Sequence, residues 1–188
     1  MIPKEPLGFA VAVLGGRRVD PPGARLERFP PTAISSVRED LRELLLEERI
    51  GLLISSAAAG ADLLGLDVAL KIGIRCDVVL PFEILQFRIR SVMDRGAFWG
   101  DLFDSVIARV GSGVTLKILN LSSDDEQQAY RATNEELIRE ATLKSFGSAL
   151  SIIVWEGESR GSDDLTAHLQ ALARGAGMKE RVINTCER

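Results

Sequence analysis

The stretch AVAVLGGRRVD, residues 10–20, decides the fold of this chain. Its first half is an unbroken apolar run, which predicts a strand, and two glycines and two arginines follow it directly. In a parallel sheet such a run is covered by helices on both faces, and ligands bind just beyond its carboxyl end. The stretch therefore predicts an α/β sheet with a ligand site after the first strand.

Comparable apolar runs recur along the sequence, separated by stretches with helical periodicity. Predicted strands cover residues 9–14, 51–55, 75–80, 115–119, 150–155 and 181–183, and predicted helices cover residues 33–48, 61–72, 98–110, 124–146 and 163–174. The alternation predicts a doubly wound, mostly parallel Rossmann-like sheet with helices on both faces. Residues 1–188 are expected to form a single domain, in which the proline-rich residues 19–31 form an ordered loop draped over the sheet edge.

Composition excludes several classes of protein. A net charge of −4 and a pI near 5.2 argue against binding of long nucleic acids, which requires a broad basic face. No apolar stretch approaches the roughly 18 residues that cross a bilayer. The two cysteines, Cys76 and Cys186, form neither a CxxC pair nor part of a metal-ligand cluster. We expect a cytoplasmic protein with no metal and no cofactor.

The loops after the predicted strands contain glycine, hydroxyl-bearing and arginine residues, which suit an anionic ligand. The candidates are Gly15, Gly16 and Arg17 after the first strand, Ser55, Gly60 and Asp62 after the second, Phe82 after the third, and Trp155, Gly157 and Thr166 after the fifth. The amides and guanidinium of residues 15–17 and 60–62 are predicted to form one anion receptor, with Arg17 rather than Arg18 facing a phosphate.

Each candidate also has a purely structural interpretation. The paired glycines 15 and 16 are equally typical of a tight turn, and Asp62 of a residue that caps a helix. Phe82 and Trp155 suit either a base-stacking position or the core. No GxGxxG spacing and no GxxxxGK[ST] motif occurs, which disfavours dinucleotide dehydrogenases and P-loop proteins.

Several segments together resemble one family. They are GGRRVDPPGARLERFP (15–30), SSAAAGADLLGLDVALKIGI (55–74), VLPFEILQFRIRSV (79–92), WGDLFDSVIARV (99–110), YRATNEELI (130–138) and IIVWEGESRGSDDLTAHLQALARGAG (152–177). Their order resembles a bacterial signalling or defence branch of the SLOG superfamily, Rossmann-like nucleotide-binding domains that include the lonely-guy phosphoribohydrolases. The resemblance implies a pocket at the strand ends and adds Asn134 to the candidates.

The resemblance also bears on catalysis. The lonely-guy enzymes carry a PGGxGTxxE loop whose glutamate serves hydrolysis of an N-glycosidic bond; if Thr166 matches its threonine, Leu169 stands where that glutamate would be. Leucine supplies no carboxylate, so no catalytic residue is assigned.

Three functions remain open. The first is a non-catalytic sensor of a nucleotide or nucleotide-derived signal, ADP-ribose-like or cyclic, acting on an effector or a second copy of the chain. The second is an N-glycosidase or phosphoribohydrolase acting on a nucleoside monophosphate, with Glu156, Glu158, Asp163 or Asp164 replacing the glutamate. The third is an interaction module with a degenerate pocket.

Overall fold

A six-stranded parallel sheet forms the centre of the computed structural model, which describes residues 10–146 and 148–186. The strands are β1 (Ala10–Gly16), β2 (Ile50–Ser55), β3 (Arg75–Leu80), β4 (Val114–Ile118), β5 (Leu150–Trp155) and β6 (Lys179–Asn184). The helices are α1 (Ile34–Glu47), α2 (Ala61–Lys71), α3 (Ile84–Ser91), α4 (Ala97–Ile107), α5 (Glu126–Lys144) and α6 (Leu165–Gly175). Two short 3-10 helices precede α1 and α4, at Pro31–Ala33 and Met93–Arg95.

Helices cover both faces of the sheet, as the uninterrupted apolar strands require. On β1, Ala12 and Leu14 point into a core formed with α1, α2 and α4, whereas Val11 and Val13 point into a second core formed with α5 and α6. This alternation follows from the two-residue repeat of a strand. The predicted fold class, a doubly wound parallel α/β sheet, is confirmed.

The strand order β4-β3-β2-β1-β5-β6 fixes where the order of strands reverses within the sheet. Strands β2, β3 and β4 lie successively outward on one side of β1. Strand β5 pairs with the other side of β1, with Gly16 opposite Val154. Connections leaving β1 and β5 therefore diverge to opposite faces and open a crevice at the carboxyl ends of these strands.

One strand boundary and one helix differ from the sequence prediction. Strand β1 continues through Gly15 and Gly16, which pair with β5 instead of forming a turn; the predicted first residue, Phe9, lies outside the described residues. Helix α3 was not predicted, because it spans only eight residues directly after Pro81 and Phe82.

The proline-rich loop after β1 is ordered by one carboxylate. Asp20 Oδ2 accepts hydrogen bonds from the backbone N–H of Arg28 at 2.8 Å and of Phe29 at 2.9 Å, and the Phe29 ring is fully buried. The loop covers the carboxyl end of the sheet, where Pro21, Ala24 and Leu26 line a pocket. The loop also reaches the edge strand, since the Thr185 hydroxyl, directly after β6, donates to the Arg28 carbonyl. The predicted ordered loop therefore lies over the strand ends and extends to the sheet edge.

Within the described ranges, no helix is long and apolar enough to cross a membrane.

Candidate functional site

A pocket of about 550 Å³ lies at the carboxyl end of β1. Its walls come from the loop after β1, the start of α2, helix α3 and the N-terminal halves of α5 and α6. This is the crevice created by the reversal of strand order, the usual ligand position in open α/β sheets.

Arginines dominate the charge of this pocket. Six arginines line it, Arg17, Arg18, Arg28, Arg90, Arg95 and Arg160, against three carboxyl side chains, Asp20, Asp62 and Glu126. The whole chain carries a net charge of −4, so positive charge is concentrated here. An anionic ligand is the partner that this distribution favours.

The structure brings part of the predicted set together. Gly15, Gly16, Arg17, Asp62, Asn134 and Thr166 line the pocket. Ser55, Gly60, Phe82, Trp155 and Gly157 are not among the lining residues.

Two of the residues outside the lining connect β1 and its loop to their neighbours. Ser55 is fully buried, and its hydroxyl donates to the Leu14 carbonyl at 2.9 Å. Gly60 has φ +128° and lies so close to the first loop that an added Cβ would come within 2.5 Å of the Arg17 carbonyl oxygen. Gly60 is therefore required for contact between two stretches of backbone, and its proximity to a ligand is not needed to explain it.

The aromatic candidates belong to the protein interior. Phe82 is 1% exposed and packs edge-on against Tyr130, with ring centroids 5.7 Å apart. Trp155 lies in the core beneath α5 and α6, and the Arg17 guanidinium sits 5.4 Å from its ring centroid. Gly157 is exposed in a turn with φ +96°. The interpretation of Phe82 and Trp155 as base-stacking residues is not supported, because neither ring faces the pocket.

Close packing also explains the two glycines of β1. A Cβ on Gly15 would lie 2.3 Å from a methyl carbon of Leu169, and one on Gly16 would lie 2.3 Å from the Val154 carbonyl oxygen. Both contacts are far shorter than van der Waals distance; the Leu169 side chain would have to move to admit a Cβ at Gly15, whereas the backbone of Val154 excludes one at Gly16. These glycines allow α6 and β5 to approach β1.

Residues 15–17, at the end of β1, and residues 60–62, at the start of α2, are adjacent, as a shared receptor would require. Arg18 and Gly60 form an antiparallel bridge, and the Ala61 N–H donates to the Arg17 carbonyl at 3.1 Å. Two further amides are used within the protein: the Arg17 N–H donates to Val154 and the Val19 N–H donates to Ala59. Contrary to the prediction, these amides hold the loops together and are not free for an anion.

Arg17 itself is an internal ion-pair residue. Its side chain is 3% exposed; Nε and Nη2 donate to the two carboxylate oxygens of Glu156 at 2.6 and 2.9 Å, and Nη1 donates to Asp164 at 2.6 Å. Nη2 also donates to the Glu158 carbonyl at 2.6 Å. The prediction that Arg17 offers its guanidinium to a phosphate is not supported, because protein acceptors already surround it.

These pairs shift the titration of both carboxyl groups. Burial opposes the charged form of Asp164, but the hydrogen bonds from Arg17 and from the backbone of Arg160 and Ala167 hold its pKa far below the usual value. Burial also opposes the charged form of Glu156, but the hydrogen bonds from Arg17, the backbone and Arg28 together lower its pKa. Both groups are therefore carboxylates at neutral pH, and neither is a proton donor for catalysis.

Asp62 behaves in the opposite way. Burial raises its pKa to about 7, although the backbone N–H of Ala58 and of Gly16 and the charge of Arg18 favour the ionised form. Gly60, not Asp62, is the N-cap of α2, and no side chain caps this helix. Asp62 is consequently a pocket carboxyl whose proton is exchanged near neutral pH.

Asn134 and its neighbours on α5 fix the start of α6. The Asn134 amide donates to the Leu165 carbonyl at 2.9 Å and lies 3.2 Å from His168 Nδ1. Asp164 caps α6 by accepting from the N–H of Thr166 at 2.9 Å and of Ala167 at 3.2 Å. Asn134 and Thr166 are thus held at the pocket wall by contacts between two helices.

Comparison with known proteins adds one finding. No family model and no curated protein matches the sequence. The structure is similar to the X-ray structure of DNA processing protein A (DprA) from Streptococcus pneumoniae, with a TM-score of 0.60 and 15% sequence identity. The similarity concerns the fold, a parallel α/β sheet with helices on both faces. The match covers 93% of this chain and 50% of the DprA chain, so this chain spans about half the length of DprA.

Leu169, on α6, lies inside the pocket next to β1. The side chain is 2% exposed, lines the pocket and lies directly over Gly15. It is the position at which the sequence resemblance places the lonely-guy glutamate. If Thr166 matches the threonine of the lonely-guy loop, an apolar group stands inside the pocket where those enzymes have a carboxylate.

Sequence reasoning missed several residues that line the pocket. Arg90 and Arg95 come from α3 and the 3-10 helix after it, Tyr130 from α5, and Arg28 from the proline-rich loop. A signal was present: the run QFRIRSVMDR, residues 86–95, has three arginines in ten residues. It was overlooked because the short helix α3 was not recognised, which left these arginines without a place in the fold.

Proposed function

We propose that this chain binds a nucleotide or nucleotide-derived small molecule, such as an ADP-ribose-like or cyclic signal, in the strand-end pocket. The observation that carries the proposal is the cluster of six arginines around a pocket of about 550 Å³ in an otherwise acidic protein. Small-molecule pockets commonly measure about 300–1,000 Å³. Arginine is the side chain best suited to phosphate, because its planar fork donates two parallel hydrogen bonds.

One wall of the pocket suits the nucleoside part of such a ligand. Tyr130, Gln127 and Asn134 lie on one face of α5, and Leu165 faces them from the start of α6. The Tyr130 hydroxyl shares a hydrogen bond of 2.6 Å with Ser91, which fixes the ring. An aromatic ring, two carboxamides and an apolar side chain together provide stacking and hydrogen bonding for a base or ribose.

Long nucleic acid fits the pocket less well than a small ligand. The name of the similar protein, DNA processing protein A, raises DNA as an alternative. The arginines of this chain, however, surround one concave pocket, whereas a long strand requires a basic track along the surface. The net charge of −4 disfavours such a track.

Leu169 in the pocket and the ion pairs beside it support a signalling role without catalysis. Leu169 replaces the carboxylate that hydrolysis requires. Arg17, Arg28, Glu156 and Asp164 tie the loop after β1 to the loop before α6, so a ligand that changes one loop displaces the other. Such a displacement can be passed to an effector or to a second copy of the chain.

The test is a thermal-shift and calorimetric titration with AMP, cyclic AMP, cyclic GMP, ADP-ribose, NAD and a short single-stranded oligonucleotide. A ligand at 100 times its dissociation constant stabilises the fold by about 2.7 kcal/mol, which is readily detected. Arg90→Gln removes a pocket arginine, and Arg88→Gln removes an arginine of the same helix that pairs with Asp104 and does not line the pocket.

We expect Arg90→Gln to weaken binding and Arg88→Gln to leave it unchanged. Absence of a shift with every small nucleotide would refute the proposal, and a shift with the oligonucleotide alone would transfer the function to DNA. Equal losses in both variants would mean that binding occurs outside the pocket.

One observation favours the enzymatic alternative. Asp62 is a pocket carboxyl with a pKa of about 7, suited to general acid or base catalysis of N-glycosidic hydrolysis at neutral pH. Incubation with AMP followed by chromatography for free adenine tests it. Release of adenine that Asp62→Asn abolishes would establish the activity; no release by the wild-type protein would remove it.

A further inference from the structure

Two pocket arginines share a single carboxylate. The Asp94 side chain, on the 3-10 helix after α3, pairs through Oδ1 with Arg18 and through Oδ2 with Arg95 Nη1, the latter at 2.6 Å. Asp94 is 41% exposed and is not a lining residue, whereas Arg18 and Arg95 both line the pocket. The carboxylate therefore holds two guanidinium groups at the side of the pocket.

The two arginines are incompletely satisfied by this arrangement. Arg18 Nε is buried and has no hydrogen-bond partner among the described residues. Arg95 Nε donates to the Val19 carbonyl at 2.7 Å, which anchors the guanidinium to the loop after β1. Burial lowers the pKa of Arg95, and the neighbouring charge of Arg18 lowers it further. Two cations thus lie close together with one shared, solvent-accessible counterion.

Other carboxylates near the pair do not fill this role. Asp20 accepts from the backbone of Arg28 and Phe29, which fixes it in the loop. Asp62 is near Arg18, but burial keeps it largely protonated below neutral pH. Asp94 is the exposed group that bridges both guanidiniums, with one oxygen on each.

Three of the other pocket arginines are worse candidates for an anion, and the fourth, Arg160, pairs through Nε with Asp164 at 3.6 Å. Arg17 is 3% exposed and bonded to two carboxylates and a carbonyl. Arg28 pairs with Glu156, which is 10% exposed, and Arg90 pairs one-to-one with Glu126. Arg17 and Arg28 also share one carboxylate, but that of Glu156 is 10% exposed, whereas the Asp94 carboxylate shared by Arg18 and Arg95 is 41% exposed and can be displaced.

We propose that Arg18 and Arg95 form the subsite for a phosphate or pyrophosphate group of the ligand, and that Asp94 occupies this subsite as an internal competitor. Two phosphate oxygens replace the two oxygens of Asp94, one on each guanidinium, and a further phosphate oxygen is available to Arg18 Nε. The inference rests on the proposed nucleotide binding and specifies which residues hold the anion. It also reverses the sequence prediction, which placed the phosphate on Arg17 and not on Arg18.

Asp94→Asn separates this proposal from a purely structural ion pair. If Asp94 competes with the ligand, its neutralisation strengthens phosphate binding, by about 5-fold or more when two partly exposed pairs are released. Arg95→Gln is expected to weaken binding by about 10-fold, the loss typical of a charge-assisted hydrogen bond. The matched controls, Asp104→Asn and Arg88→Gln, break an exposed ion pair of α3 and α4 away from the pocket.

The measurement is calorimetric titration of each variant with AMP and, separately, with inorganic pyrophosphate, after thermal melting has shown that the variant is folded. Tighter binding by Asp94→Asn and weaker binding by Arg95→Gln, with both controls unchanged, is the expected result. A gain in affinity cannot arise from a folding defect, so Asp94→Asn stays decisive even if Arg95→Gln is unstable.

The possible failures are distinguishable. Binding of AMP by the wild type that Asp94→Asn does not strengthen overturns the subsite and leaves the proposed function intact. Binding of pyrophosphate but no nucleotide, strengthened in Asp94→Asn, supports the subsite and refutes the nucleotide. Absence of binding by every variant refutes both.

Discussion

The internal role of Arg17 leads to a quantitative prediction. Arg17→Met keeps the aliphatic part of the side chain against Trp155 but removes the guanidinium, leaving Glu156 and Asp164 without their buried counterion. Removing one partner of a buried ion pair costs about 3–5 kcal/mol. Glu156 keeps its pair with Arg28, and Asp164 keeps its backbone donors, so the lower end of about 3 kcal/mol is expected.

Denaturant unfolding followed by circular dichroism measures this loss. For a chain of 188 residues, a loss of about 3 kcal/mol corresponds to a decrease in Tm of about 6–12 °C. Arg18→Met is the control, because Arg18 is one-third exposed and its pair with Asp94 is worth less than about 1 kcal/mol.

The effect of Arg17→Met also depends on pH. The native pKa of Asp164 is lowered, so the unfolded chain binds its proton more readily than the native protein does. The stabilisation is therefore complete above the ordinary carboxyl pKa and is lost as pH falls through the native value. Equal destabilisation by Arg17→Met and Arg18→Met, or a difference from wild type that grows on acidification, would refute the structural role of Arg17.

Three further predictions concern other buried positions. Burial raises the pKa of Asp62 from 3.8 to about 7, so the native protein holds this proton more tightly than the unfolded chain does. As pH rises across this interval, the free energy of unfolding of the wild type should fall by about 4 kcal/mol relative to that of Asp62→Asn. Urea titrations in which the difference between the two proteins is independent of pH would contradict this. Gly60→Ala should destabilise by more than about 2 kcal/mol in chemical denaturation, since φ is +128° and the Cβ meets backbone, whereas Gly175→Ala, in open space at a helix end, should be neutral or stabilising. Cys186 is exposed, whereas burial raises the pKa of Cys76 to about 12, so dithiobis(nitrobenzoate) should label one thiol in the native protein and two after unfolding; labelling of both at once would show that the core opens.

Much of the fold is readable from local pattern. The apolar runs at residues 150–155 and 75–80 match β5 and β3 at both ends, because a strand buried on both faces is apolar at most positions. Helix α3 was missed, because eight residues provide too few turns to reveal a helical period. The two glycines of β1 correctly indicated the end of the strand at which the pocket lies, but they do not form a ligand-binding turn. They are needed because Leu169 and Val154, which are distant in sequence, pack directly against them.

The sequence by itself determined the α/β class and the end of the sheet at which the pocket lies, since both follow from the order and period of apolar residues along the chain. Only the tertiary structure decided the roles of two adjacent arginines. Arg17 meets carboxylates 139 and 147 residues away, and Arg18 meets one 76 residues away. The charge state and availability of a side chain depend on what lies within a few ångströms, and those distances exist only after the chain has folded.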